Sequence, residues 1–173
     1  MSDKTAPPLL VQGLTVRYGS FTAVDNISFI VNPGEIYGLL GPNGAGKTST
    51  LKTIIGLVQP ASGRVEVFGK PLSEEVAVKS MIGYVPEEVI LMDSLTPREF
   101  LEFVASIRRL DKNTVNTRLE KLVSAFQLGE YFDTPIAALS KGNKQKVAIV
   151  AALLHEPQLL ILDEPLIGLD AFS

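Results

Sequence analysis

Eight consecutive residues, Gly41-Pro42-Asn43-Gly44-Ala45-Gly46-Lys47-Thr48, carry the strongest chemical signal in the chain. They satisfy the P-loop (Walker A) pattern: Gly, any four residues, then Gly-Lys-Thr/Ser. Glycines let the backbone turn sharply and bring successive N–H groups onto a phosphate, where a Cβ would intrude. Lys47 supplies positive charge for the β- and γ-phosphates, and the Thr48 hydroxyl is a ligand for Mg²⁺. A helix starting near Gly46 and running through Ser49 aims the positive end of its dipole at the same anion. The chemistry implied is binding of a nucleoside triphosphate.

A second chemical pair stands far downstream. Leu159-Leu160-Ile161-Leu162 runs into Asp163-Glu164, and four aliphatic residues followed by Asp form a Walker B motif. Asp163 is expected to hold Mg²⁺, often through water, and Glu164 to orient or polarise an attacking water. Alone, Asp163 also reads as a helix N-cap after a core strand, the weaker of the two readings; a full P-loop upstream favours the metal further. Between the two lies Leu139-Ser140-Lys141-Gly142-Asn143. Ser140 can cap the helix that follows, and Gly142 allows close backbone approach to an anion. By itself this is ordinary capping, and its weight comes from its place just before Walker B.

These residues need a scaffold. Glu35-Ile36-Tyr37-Gly38-Leu39-Leu40 reads as a short buried strand of a parallel sheet leading into the loop, and Thr48 to Leu57 as the helix leaving it. Leu9 to Val16, Val24 to Val31 and Arg64 to Phe68 read as strands of an antiparallel β patch, separated by Gly- and Pro-containing turns. Ser73 to Ser80 is expected to be helical, and Met81 to Val85 a buried strand. Thr96-Pro97-Arg98-Glu99 combines an N-cap, Pro at the first helical position and the Glu of a capping box. The helix it opens carries Phe100, Phe103, Val104 and Ile107 at helical spacing, and Asn113 to Leu128 repeats the pattern. Helices thus interrupt the strand alternation between about Glu88 and Leu139. With the next helix, Gly142 to Leu154, the helical subdomain spans about 88–154. The core and β patch occupy about 1–87 and 155–173 of a single domain. Gln158 to Leu162 is expected to be a buried strand whose carboxyl end presents Asp163, where open α/β sheets place their ligands.

Composition bounds the rest. The 173 residues are 46% hydrophobic and 20% charged, enough for a real core and too little charge for disorder. There is no cysteine, hence no disulfide and no thiolate metal site. The longest apolar run, Val147 to Leu154, has eight residues, against the roughly 20 needed to cross a bilayer. Net charge is −3, the sequence pI is near 5.2, and no basic face points to a nucleic-acid partner.

The ordered set Tyr18, Gly41–Thr48, Gly83-Tyr84-Val85-Pro86-Glu87, Leu139–Asn143, Leu160–Glu164 and Gly168-Leu169-Asp170 resembles the nucleotide-binding domain of ATP-binding cassette (ABC) transporters. It covers nearly the whole chain, Leu9 to Asp170. The resemblance implies an α/β fold, a P-loop NTPase with a RecA-like core, an antiparallel β patch and an inserted α-helical subdomain. It implies ATP and Mg²⁺ as ligands, with Tyr18 stacked on adenine, although a plain packing role for Tyr18 stays open. In the family, the segment matching Leu139–Asn143 meets the γ-phosphate held by a second nucleotide-binding subunit. A head-to-tail dimer follows, with Ser140, Gly142 and Asp170 at its interface; Asp170 also reads as a turn residue. The further partner implied is a separate transmembrane permease subunit, which would hold the protein on the cytoplasmic, inner face of the cell membrane.

Three departures are visible. Lys141 and Asn143 replace a Gly and the Gln of the usual Leu-Ser-Gly-Gly-Gln signature, while Ser140 and Gly142 are retained. Glu87 stands where the family usually has Gln, at a position that contacts Mg²⁺ or water; a carboxylate is a competent oxygen ligand. The Pro86-Glu87-Glu88 spelling resembles some export-type members. The family's switch histidine falls beyond Ser173, and the one histidine, His155, reads as an ordinary helix-end residue. The expectation is a C-terminally incomplete domain, lacking core strands and closing helices, that binds nucleotide but hydrolyses it poorly. An alternative within the same superfamily is a soluble ATPase of DNA repair, chromosome structure or translation. Such proteins usually carry long coiled-coil insertions, tandem cassettes or basic surfaces, whereas these 173 residues show a compact insertion, one cassette and a pI near 5.2.

Overall fold

The structure, a computed structural model, describes residues 6–164. Asp170 and the segment around it lie outside them. The chain falls into two compact units, one up to Ile82 and one from Gly83 onward, and each is taken by itself.

The first unit is built on β1 (Leu9–Tyr18), the central member with β3 of a four-stranded sheet ordered β2-β1-β3-β4. Its partners β2 (Phe21–Val31) and β3 (Ser62–Val67) both run antiparallel to it, and β4 (Lys70–Pro71) extends β3. The antiparallel patch expected from alternation is therefore present. Leu9, Val11, Leu14 and Val16 from β1 meet Val24, Val31, Val65 and Val67 in its buried layer. The β1–β2 register is irregular between Val16↔Val24 and Arg17↔Thr22, an extra residue that bends the hairpin tip. Helix α1 (Lys47–Ile54) buries Thr50, Thr53 and Ile54, and α2 (Glu75–Met81) buries Val78.

One expectation fails here. Glu35–Leu40 forms no strand; Ile36 is fully exposed and Leu40 nearly so, at 92%. Leu39 is half-buried, and Tyr37 stacks on Phe29 with ring centroids 4.9 Å apart. The sequence has a buried strand's composition, but a strand exists through its ladder to a neighbour, and among the described residues no strand pairs with it.

The second unit pairs β5 (Ile82–Val85) with β6 (Leu159–Leu162) and packs three helices around a shared core. Helix α3 (Pro97–Ile107) starts with the full capping box: the Thr96 side chain accepts from the Glu99 N–H, and Glu99 accepts from the Thr96 N–H. Helix α4 (Lys112–Ala125) is capped by Asp111, which accepts from the Thr114 N–H at 3.0 Å. It stops three residues short of Leu128 because Gln127 turns left-handed (φ 55°). The N–H groups of Leu128 and Gln127 then close onto the carbonyls of Val123 and Ser124, a Schellman ending. Helix α5 (Lys141–Leu153) contributes Val147 and Val150 to a core with Leu101, Leu119, Leu128 and Ile136.

Two arginines tie this helical unit together. Arg98 makes a two-pronged ion pair with Asp133 (2.7 and 3.1 Å) and lies over the Phe132 ring at 4.4 Å. Arg118 on α4 donates to the Leu154 carbonyl, at the end of α5, and to Glu156. Strand β6 departs from expectation: Ile161 is buried, but Leu160 and Leu162 are each more than a third exposed. Alternate side chains leave opposite faces of a strand, and only one face of β6 is fully covered by the described residues.

Candidate functional site

In the first unit the phosphate loop has the geometry its glycines predict. Gly44 and Gly46 adopt left-handed conformations, φ 82° and 88°. At Gly46 the need is absolute. A Cβ there would collide with the Ala23 carbonyl oxygen and sit 2.9 Å from Val24 Cγ2. Gly46 caps α1 with no side-chain bond of its own, so the first-turn N–H groups face an exposed loop: Gly41 to Ala45 are exposed, and Gly46 to Ser49 half-buried. Lys47 folds back over that loop, its Nζ donating to the carbonyls of Gly41 (2.8 Å) and Pro42 (3.1 Å). A cation held over a glycine bend that leads into a helix N-terminus is a cradle for a polyphosphate.

Tyr18 and Ser49 meet beside this loop. The Tyr18 hydroxyl donates to Ser49 Oγ at 3.5 Å, a long hydrogen bond joining the end of β1 to α1. The Tyr18 ring is 47% exposed, which leaves it able to stack on a planar ligand.

In the second unit, Asp163 follows β6, and its N–H donates to the Val85 carbonyl of β5 at 2.9 Å. Its side chain is buried at 3% exposure, and Oδ2 has no hydrogen-bond partner. Burying an unmatched carboxylate oxygen is costly, and a hard divalent cation is the group that would satisfy it. Among the described residues no cluster of three or more His, Cys, Asp or Glu forms a metal cage. Mg²⁺ does not need one, since it is held by one or two carboxylates, waters and substrate phosphates. The donor set therefore fits Mg²⁺. Glu164, next in sequence, is exposed and held left-handed at φ 49°, a conformation a non-glycine residue adopts at a cost.

Glu87 belongs to the same neighbourhood. Burial pushes the half-buried Tyr84 phenol above its ordinary pKa, and the negative charges of Asp163 and Glu87 push it the same way. Tyr84 is thus a contributor to which the sequence assigned no role; the signal available was the alternation of β5, which sets it on the opposite face from Val85. Glu87 also lines an open cavity of about 380 Å³ with Glu88, Val89, Lys141, Lys144 and the buried Gln145. Two departures from the family pattern, Glu87 and Lys141, share one cavity.

At the start of α5, Ser140 Oγ accepts from the Asn143 N–H at 3.2 Å. Ser140 and Lys141 are exposed and Gly142 half-buried. Lys144 is engaged by Asp93 at 3.0 Å. His155 comes directly after the C-cap of α5, at the helix end expected for it.

Comparison with known proteins agrees with this geometry. The profile of the ABC transporter family matches residues 24–167. The chain is 42% identical over 166 residues to the ABC-type transporter ATP-binding protein EcsA of Bacillus subtilis (strain 168), covering 95% of this chain and 67% of EcsA. It is 35% identical over 167 residues to the Nod factor export ATP-binding protein I of Ralstonia nicotianae, covering 96% of this chain and 52% of that protein. A solved ATP-binding subunit of an ABC transporter superimposes with a TM-score of 0.87 at 38% identity, over 94% of this chain and 68% of the other. The chain spans about two thirds of the first and third of these and about half of the second. Their fold is that of the P-loop NTPases, α/β with an antiparallel sheet.

Proposed function

The chain belongs to the ABC transporter family, and on that premise we propose that it is the ATP-binding, ATP-hydrolysing part of a transport motor. The observation that carries this reading is the left-handed glycine loop at the start of α1, with the Lys47 ammonium folded over it. The residues 41–49 seat the triphosphate and Tyr18 stacks on the base. Thr48, Asp163 and Glu87 are the oxygen ligands for Mg²⁺, which, when bound, neutralises charge on the phosphate oxygens. Glu164 accepts a hydrogen bond from the attacking water, and Lys47 stabilises charge that grows on the phosphoryl oxygens.

Ser140, Gly142 and Asp170 complete the site of a second nucleotide-binding subunit in a head-to-tail dimer. Closure on ATP and reopening after hydrolysis drive a separate transmembrane permease; among the described residues no helix is long and apolar enough to cross a membrane. The protein then works at the cytoplasmic face. Export is favoured over import by the Pro86-Glu87-Glu88 spelling and by a relative named for Nod factor export.

The test is Mg²⁺-dependent ATP hydrolysis by the full-length protein assembled with its membrane partner. Glu164→Gln should retain ATP binding and stop turnover. Ser140→Ala combined with Gly142→Asp should also stop it. Undiminished activity in the second variant would sink the dimer assignment.

A further inference from the structure

A second aromatic residue stands beside Tyr18. Phe21 opens β2, and it is the direct cross-strand partner of Tyr18 at the tip of the β1–β2 hairpin. Directly opposed residues of an antiparallel pair project to the same face of the sheet, with Cβ atoms about 4.5–5.5 Å apart. That face is fixed by neighbours on each strand. Tyr18 lies two residues beyond the buried Val16, whose own partner is Val24. Val24 and Ala23 are the residues pressed against Gly46 at the start of α1. The irregular register between Val16↔Val24 and Arg17↔Thr22 is the one-residue excess that returns Phe21 to the face of Tyr18.

Phe21 is 63% exposed, more than Tyr18 at 47%. The hydroxyl of Tyr18 is tethered to Ser49 on α1, so one ring of the pair is already oriented towards the helix that bears the phosphate loop. Two large aromatic side chains left open on the same face, at one hairpin tip, offer π-faces and no fixed hydrogen-bond pattern. That is the chemistry of a nucleobase platform, since every base has a π-face.

We propose that Phe21 is a further base-contacting residue, and that the nucleobase rests on a two-ring platform of Tyr18 and Phe21. The proposal rests on the nucleotide reading above and adds a second base-contacting residue to it.

The experiment measures the affinity of the full-length protein for ATP and for inorganic tripolyphosphate, which has the phosphates and no base. Phe21→Ala should weaken ATP binding by about fivefold or more, the worth of one base–aromatic contact, and leave tripolyphosphate binding unchanged. Phe21→Leu keeps apolar volume at the tip and guards against a folding defect; it should lose ATP affinity in the same selective way. Equal losses for both ligands would show that Phe21 only supports the hairpin, and would overturn the proposal. Unchanged ATP affinity in both Phe21 variants, with Tyr18→Ala impaired, would also overturn it while leaving the nucleotide reading intact. Failure of the unmodified protein to bind either ligand would remove both.

Discussion

The Lys47 ammonium lies 2.8 Å from the carbonyl oxygen of Gly41, so the cation of the phosphate loop is held by the first residue of the same loop. Carbonyl dipoles keep the charge over the bend without neutralising it, and an incoming phosphate offers a full negative charge instead. Lys47→Ala should lower ATP turnover of the full-length protein by roughly 10²–10³-fold, the usual effect of removing one such stabilising group. Far-ultraviolet circular dichroism should be unchanged. A variant that hydrolyses normally would disqualify Lys47.

Gly46 is the point where β2 presses on α1. Gly46→Ala places a methyl group against the Ala23 carbonyl and Val24 while the backbone stays left-handed. Strain and overpacking of this kind each cost about 1–3 kcal/mol. Denaturant unfolding should show a loss of more than about 2 kcal/mol, and Gly44→Ala, where a Cβ meets open space, a smaller one. Equal losses would mean that the contact with β2 does not matter.

Asp163 should trade stability for function. Its buried Oδ2 has no partner, so Asp163→Asn exchanges an unmatched charged oxygen for a neutral amide of the same size. Without metal, the variant should be at least as stable as the parent, by up to about 1 kcal/mol. The rise in its melting temperature that Mg²⁺ adds to that of ATP alone should be smaller than in the parent. Greater loss of stability without metal than with it would contradict this assignment.

Tyr84 gives a pH signature. Its folded-state pKa lies above the ordinary 10.0, through burial and the charges of Asp163 and Glu87. Below pH 10 the phenol is neutral in folded and unfolded chains alike and contributes no pH dependence. As pH rises past 10, the unfolded chain ionises first and stability falls until the folded pKa is passed. Melting temperature should therefore fall more steeply above pH 10 in the parent than in Tyr84→Phe. Parallel profiles would mean that neither burial nor the two charges raises the phenol's pKa in the folded chain.

The amino-acid sequence by itself determined the features that depend on neighbours along the chain. The capping box of Thr96 and Glu99, the Ser140 cap and the left-handed glycines of the loop are all local, because their hydrogen bonds and torsions close within a few residues. The antiparallel patch was legible too, since alternation reports which face of a strand is buried. The sequence missed where the pattern was right and the partner decided. Glu35–Leu40 has a strand's composition, but composition supplies no ladder, and Ile36, Tyr37 and Leu40 stand exposed. Leu160 and Leu162 are as apolar as Ile161, yet only one face of β6 is fully covered.

Tertiary structure alone decided four things: the clash that fixes Gly46 as glycine, the unpartnered oxygen of Asp163, the burial of Tyr84 within the field of two acids, and the pairing of Phe21 with Tyr18. Each arises between residues brought together by strand pairing or helix packing. A bulge of one residue in β2 is enough to set which face Phe21 occupies, and no local propensity encodes that shift.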